Sequence, residues 1–347
     1  MSSPLRIVHA IRSDAFAGVE QFVLRLALRQ AREGHSVHVI GGAPDRMREP
    51  LQESAIGFSP AATTAQTSRA IRAVSAGADI VNTHMTAADV AAVVALAGAR
   101  PRPVLVSTRH FTSPRGTGSG IPFDALIGGR IDAEISISRA VASSIGRPST
   151  VVHTGVENVD DPESARRSAL LMAQRLESEK RTDLGIRAFA ASRLSDSGWS
   201  LEIAGDGAER PRLEALAGQL GVEVRFLGFR SDVPALMANA GMLLAPCTVE
   251  GLGLTVIEAM ASALPVVAAD AGGHTEILEG LDARALYAPE DPDAAARSLR
   301  SLADDAPGRA ALGAAARARQ RRDFSIQSQA AGTEAVYRAA IGRRRAG

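Results

Sequence analysis

Apolar runs of strand length alternate with helix-length periodic stretches along almost the whole chain, and that alternation leaves few folds open. Strands separated by helical crossovers pair side by side in parallel sheets, with the helices covering the faces. Leu5 to Ile11 reads as a first strand, followed by a glycine-containing loop and a helix near Val19 to Glu33 that Gly34 ends. Further strands are expected at Val37–Ile40, Asp79–Asn82, Val104–Thr108, Glu134–Ile137 and Val151–His153. Asn158 to Arg167 is acidic and polar, carries a proline, and reads as an interdomain linker. A second α/β series then begins, with strands at Ser168–Ala173, Trp199–Ala204, Val222–Leu227, Met242–Ala245 and Pro265–Ala268. After Pro289 the chain reads as helix to its end. At 347 residues it exceeds the size at which one core stops growing, so two domains are expected, divided near residue 157.

Composition excludes several classes of function. A formal net charge of +1 gives no basis for bulk nucleic-acid binding. The longest apolar stretches, such as Val90 to Ala99, are too short and alanine-rich to span a membrane. The N-terminal Met-Ser-Ser-Pro runs directly into a strand, without the pattern of a signal peptide. The single cysteine, Cys247, rules out an internal disulfide framework and a cysteine-cluster zinc site. A cytoplasmic enzyme fits these features. Arg343-Arg344-Arg345 reads as a solvated tail, with a peripheral contact at the inner membrane face as the alternative. Of 39 basic residues only Lys180 is a lysine, which is either chance or a position that wants a compact ammonium.

Chemistry concentrates in Thr248-Val-Glu250-Gly-Leu-Gly253-Leu254-Thr255-Val-Ile-Glu258. One carboxylate lies in a loop after a strand, and a second lies one turn inside the following helix. The open N–H groups of Leu254 and Thr255 at that helix start form an anion site, and Gly251 and Gly253 let the backbone approach a ligand. Two carboxylates beside such a cradle repel phosphate and suit sugar hydroxyls, which donate to ionised acceptors. Arg175 and Lys180, five apart at a strand-to-helix junction, can balance a diphosphate without a metal ion. Gly18 starts the first helix, and His110 ends a strand at the carboxyl edge where open α/β sheets bind ligands. His84, also after a strand, is a weaker candidate on the acceptor side. No Asp-x-Asp motif has a metal-site setting, so no divalent ion or other cofactor is expected.

Glu250 and Glu258, with seven residues between them, resemble the paired glutamates of glycosyltransferase family four, and the continuation through Pro265, Gly273 and Glu276 is similar to that family's pattern. Ala263 departs from it, where a glycine is usual. The resemblance implies the B-type fold: two Rossmann-like, doubly wound α/β domains facing a cleft. The donor domain would span 158–324, and a final helix, 325–347, would cross back to the first domain. It also implies that Glu250 meets hydroxyls of the donor sugar and Glu258 the ribose. Gln174-Arg175-Leu-x-x-x-Lys180 resembles the family's diphosphate clamp, with Gln174 in place of a glycine, and Ala17-Gly18-Val-Glu20 resembles its Gly-Gly-x-Glu loop. The histidine matching His110 sits close to the donor sugar in such enzymes. The segments around Gly205 and Arg230 are similar to those around the nucleotide base; Asp232 could pair with guanine, but is read here as a helix cap, which favours UDP over GDP.

The implied function is retaining transfer of a sugar from a nucleotide-diphosphate donor to an unidentified acceptor: lipid-linked, polysaccharide or small-molecule. The alternatives are a sugar phosphorylase or nucleotide-sugar epimerase of related fold, or a non-catalytic nucleotide-sugar-binding subunit. A dinucleotide oxidoreductase fits less well, because Gly116, Gly118 and Gly120 do not form Gly-x-Gly-x-x-Gly after a strand. Those glycines mark the His110–Ile121 loop as a mobile acceptor-side segment.

Overall fold

A computed structural model describes residues 3–118, 121–160 and 165–346. The chain forms two compact units, Met1–Thr154 with Ile326–Gly347, and Gly155–Ser325.

In the first unit the strands are β1 (Arg6–Ile11), β2 (Ser36–Ile40), β3 (Gly57–Ser59), β4 (Ile80–His84), β5 (Val104–Arg109), a short antiparallel pair β6 (Thr117–Gly118) and β7 (Ile121–Pro122), β8 (Ala133–Ser136) and β9 (Thr150–Val151). Its helices are α1 (Gly18–Arg32), α2 (Pro44–Glu53), α3 (Thr64–Val74), α4 (Thr86–Ala95), α5 (Phe123–Ile127) and α6 (Arg139–Ser144). All strands but β6 and β7 form one seven-stranded sheet in the order β3-β2-β1-β4-β5-β8-β9, with every pairing parallel. The second unit contains β10 (Ala169–Ala173), α7 (Thr182–Ser192), β11 (Ser200–Ala204), α8 (Arg210–Leu220), β12 (Val224–Gly228), α9 (Val233–Asn239), β13 (Met242–Ala245), α10 (Leu254–Ala261), β14 (Val266–Ala269), α11 (Gly273–Leu278), β15 (Leu286–Tyr287), α12 (Pro292–Asp304) and α13 (Ala306–Asp323). Its six-stranded parallel sheet runs β12-β11-β10-β13-β14-β15.

The two sheets solve the same burial problem with different residues. Ala-Leu-Leu-Met-Ala in β10, Met-Leu-Leu-Ala in β13 and Val-Val-Ala-Ala in β14 are buried along their whole length, as strands covered by helices on both faces must be. Strand β4, Ile-Val-Asn-Thr-His, is equally buried, but three of its five residues are polar. Its polar groups are therefore paired: Thr83 donates to Asp89 at 2.5 Å, and Thr108 donates to Asn82 at 2.9 Å. Asn82 in turn donates to the Tyr337 hydroxyl at 2.7 Å. Tyr337 lies on the last helix, α14 (Ile326–Ala346), which packs Val336, Tyr337 and Ala340 against Ile7, Ile80, Val104 and Val106. The C-terminal helix thus completes the core of the first unit.

Two sequence readings are corrected here. Arg343-Arg344-Arg345 is the last turn of α14 rather than a tail, and Arg344 donates to the carbonyls of Arg102 and Pro103 at 2.8 and 2.7 Å. At the far end of the acidic stretch, Arg166 is not linker. Its guanidinium donates to the carbonyls of Met237, Ala238 and Ala240 and so belongs to the second unit. Asp161–Ser164 of that stretch, and Gly120 of the glycine-rich loop, lie outside the described residues. Among the described residues no helix is long and apolar enough to cross a membrane.

In a parallel sheet a ligand crevice opens at the carboxyl edge where strand order reverses. The reversals fall between β1 and β4 in the first unit and between β10 and β13 in the second.

Candidate active-site residues

At the second unit's reversal the loops after β10 and β13 meet. Lys180 closes a short helical turn after β10, and its ammonium forms an ion pair with the carboxylate of Glu250 in the loop after β13. Burial alone would raise the Glu250 carboxyl, but Lys180, helped by smaller contributions from the buried His274 on α11 and the Cys247 thiol, brings it below the ordinary range. Burial pushes His274 down to about 4, and its Nδ1 has no hydrogen-bond partner. Gly253 is the residue before α10, with φ +106°, and a Cβ there would lie 2.8 Å from His274 Cδ2. Only glycine satisfies both conditions. The N–H groups of Leu254 and Thr255 precede the first intrahelical bond, from Ile257 to the Gly253 carbonyl, and no side chain caps them. Glu258 is half-buried within the same helix. Cys247 donates its thiol to the Glu179 carbonyl at 3.2 Å, and burial pushes that thiol's pKa up.

The remaining second-unit candidates are placed differently from the expectation. Arg175 and Lys180 do not converge: Arg175 is exposed and bonded to Glu179 at 2.9 Å, while Lys180 holds Glu250. Gln174 braces their loop by donating to the Lys180 carbonyl at 3.0 Å and to Thr182 Oγ1 at 2.8 Å. Gly205 has φ +143°, and a Cβ there would fall 1.8 Å from the Gln174 carbonyl oxygen, so main-chain packing already accounts for it. Asp232 precedes α9 but makes no side-chain cap. Both its oxygens instead accept from Arg230, at 2.7 and 2.6 Å on the exposed surface, because a fork of two N–H donors outcompetes one backbone N–H. Ala263 has φ +51°, the left-handed region in which a glycine is favoured.

In the first unit Gly18 is the exposed first residue of α1, and Glu20 reaches back to accept from the Ala17 N–H at 2.8 Å. His110 follows β5 and is nearly buried. Its Nε2 lies 3.0 Å from His84 Nδ1; His84 Nε2 lies 3.1 Å from His9 Nδ1; His9 Nε2 lies 2.8 Å from Gln30 Oε1. Phe22 packs edge-on against the rings of His84 and His110. Burial pushes His9 to about 4, His110 to about 3 and His84 well below its ordinary value. His84 is fully buried, so its reading as an acceptor-side contact is corrected to an internal link. Beside them, Arg115 is buried among carboxylates, donating to Asp89 at 2.7 Å and to Glu134 at 3.2 Å, and also to Asp124. A pocket of about 280 Å³ is lined by Arg12, Met85, Thr86, Arg109, His110 and Phe111, among others.

His9, Gln30 and His274 were not singled out from the sequence. His9 interrupts the apolar run of β1, where a buried strand tolerates a polar residue only when it is paired, whereas Gln30 and His274 lie on helices and carry no such signal. One cluster among the described residues has metal-ligand spacing: Glu33, His35 and Glu334. His35 Nδ1 accepts from the Leu5 N–H at 3.1 Å, so its Nε2 carries the proton and faces Glu334 as a donor, not as a ligand.

Residues 16–158 match the family described as Glycosyltransferase Family 4, and residues 159–319 match Glycosyl transferases group 1. The lipopolysaccharide core biosynthesis mannosyltransferase LpcC of Rhizobium leguminosarum bv. viciae is 28% identical over 235 residues, 62% of this chain and 67% of that protein. The GDP-mannose-dependent α-(1-6)-phosphatidylinositol dimannoside mannosyltransferase of Mycobacterium tuberculosis is 38% identical over 138 residues, 38% of this chain and 35% of that enzyme. The chain thus spans about two thirds of one relative's length and about a third of the other's. Anabaena HepE, solved in complex with UDP, superposes with a TM-score of 0.80 over 96% of this chain and 100% of that one, at 21% identity. HepE was also solved with UDP-glucose. Two parallel-sheet units, the glutamate pair on α10 and its preceding loop, and two family matches that together run from residue 16 to 319 lead to one assignment: the chain belongs to glycosyltransferase family four.

Proposed function

We propose that the protein is a retaining, metal-independent glycosyltransferase using a nucleotide-diphosphate sugar, with UDP favoured over GDP. The Lys180–Glu250 ion pair carries this reading, because it sits at the ligand edge of the sheet, and its loop leads into the uncapped start of α10. When donor binds, the ammonium exchanges the Glu250 carboxylate for the leaving diphosphate, which also accepts from the Leu254 and Thr255 N–H groups. Glu250, released, accepts from a hydroxyl of the sugar, and Glu258 accepts from the ribose. Arg175 leaves an exposed pairing that costs little to break, so it can turn to the same phosphates. His110 supplies a neutral hydrogen-bonding group to the sugar. The preference for UDP rests on Asp232. Guanine would have to displace Arg230 from both of its oxygens, a bidentate pairing that uridine leaves in place. The HepE complexes with UDP agree, while the GDP-mannose-dependent relative makes GDP the comparison to run. The acceptor is lipid-linked, polysaccharide or a small molecule, in keeping with the biosynthetic relatives.

Isothermal titration with UDP and GDP tests this directly. The expected result is micromolar binding of UDP, about 8 kcal/mol, without added metal. Lys180→Ala should weaken it by about 1.5–3 kcal/mol, the value of a hydrogen bond to a charged group, and Glu258→Ala by about 1 kcal/mol. Absence of binding to either nucleotide, or indifference to both substitutions, would end this reading.

A further inference from the structure

We infer that His9, His84 and Gln30 act as positioning residues that preset the tautomer of His110, leaving its Nδ1 as a hydrogen-bond acceptor for a hydroxyl of the bound sugar. The inference rests on the sugar-contact reading of His110 given above. Gln30 Oε1 can only accept, so His9 must donate to it through Nε2–H. A neutral imidazole carries one proton, so His9 Nδ1 is an acceptor and His84 must donate to it through Nε2–H. The same reasoning makes His84 Nδ1 an acceptor and gives His110 its proton on Nε2. Among the described residues, Nδ1 of His110 is then the ring nitrogen of the relay that no neighbouring group holds, and His110 lines the 280 Å³ pocket.

The rings are neutral because all three are buried, with His9 and His110 held at about 4 and 3. They are fixed in place because they come from adjacent parallel strands in register: His9 pairs with Asn82 across β1 and β4, and His84 with Thr108 across β4 and β5. Phe22 of α1 blocks rotation from the other side. Turning the Gln30 amide end for end is the change that would reverse every bond in the relay. His110 would then present an N–H.

Nitrogen-15 NMR of histidine side chains in the full chain reads the tautomer without any ligand. The expected pattern is a protonated Nε2 and a bare Nδ1 at His110, retained in Gln30→Glu, whose ionised carboxylate can only accept from His9. His9→Phe should leave His110 as a mixture of tautomers. It should also weaken UDP-glucose or GDP-mannose binding about fivefold, the worth of one hydrogen bond, while leaving UDP or GDP binding unchanged. A proton on Nδ1 of wild-type His110, or a His110 tautomer indifferent to His9→Phe, overturns the inference. If the tautomers behave as expected but His9→Phe weakens sugar nucleotide and bare nucleotide alike, the inference is also overturned. In that case the fault lies in the sugar-contact reading of His110 and not in the relay. Should no nucleotide bind at all, the transferase reading fails separately, and the NMR pattern still decides the relay.

Discussion

The two units present their ligand edges in opposite ways. In the second, the central strands β10 and β13 are apolar and the chemistry rides on loops: Lys180, Glu250 and Arg175 are partly exposed and free to exchange partners. In the first, the chemistry is inside the sheet: His9, His84 and the Arg115 cluster are buried, hydrogen-bonded and part of the core. Under the proposed function, the contrast matches what each edge would bind. A leaving diphosphate gains charge, and mobile cations can follow it. A sugar hydroxyl is neutral, and what it needs is a group already pointing the right way. The cost also differs. Charged loops add little to stability, whereas a buried polar network must be fully paired or it destabilises the fold.

That difference is open to measurement. Replacing Arg115 with Met leaves Asp89 as a buried carboxylate without its cation, while Glu134 keeps Arg147, and should cost about 3–5 kcal/mol. Lys180→Ala, at a partly exposed pair, should cost about 1 kcal/mol of stability despite its larger effect on binding. Urea unfolding of both variants makes the comparison, and equal losses would break it.

Acid should act chiefly through the first unit. His9, His84 and His110 are depressed in the fold and titrate near 6.5 when unfolded, so the unfolded chain binds protons first as pH falls. Stability is therefore full above about pH 6.5 and is lost progressively from there down to the folded values near 4 and 3. Between pH 7 and 6 the three together should cost about 2 kcal/mol, with His274 adding about a third as much. A stability that rises over that interval would mean the relay is charged. The smallest effect concerns the second unit's backbone. Ala263→Gly relieves a left-handed alanine just after α10 and should raise unfolding free energy by about 0.5–1 kcal/mol, with nucleotide affinity unchanged.

What the chain reveals before folding tracks the same divide. The strand-and-helix alternation, the Glu250–Glu258 spacing, the isolated Lys180 and the uncapped start of α10 are local patterns. A loop that binds an anion or a hydroxyl is built largely from consecutive residues, so its composition is legible in order. Asp232 shows where local reading stops. It occupies the residue before α9, as a cap should, yet its carboxylate goes to Arg230 because a bidentate partner lies within reach. Arg343–Arg345 looked like a tail until Arg344 found the carbonyls at 102 and 103, more than 200 residues away in sequence. The first unit's relay is the extreme case. Residues 9, 30, 84 and 110 carry no spacing that marks them as a set, and each one alone reads as an ordinary polar residue. By itself the sequence determined the two parallel-sheet units and the glutamate and lysine loops, because hydrophobic period and turn chemistry are properties of neighbours along the chain. Only the tertiary structure decided which nitrogen of His110 is free, because that depends on three strands in register and on one amide of α1 at the far end of the line.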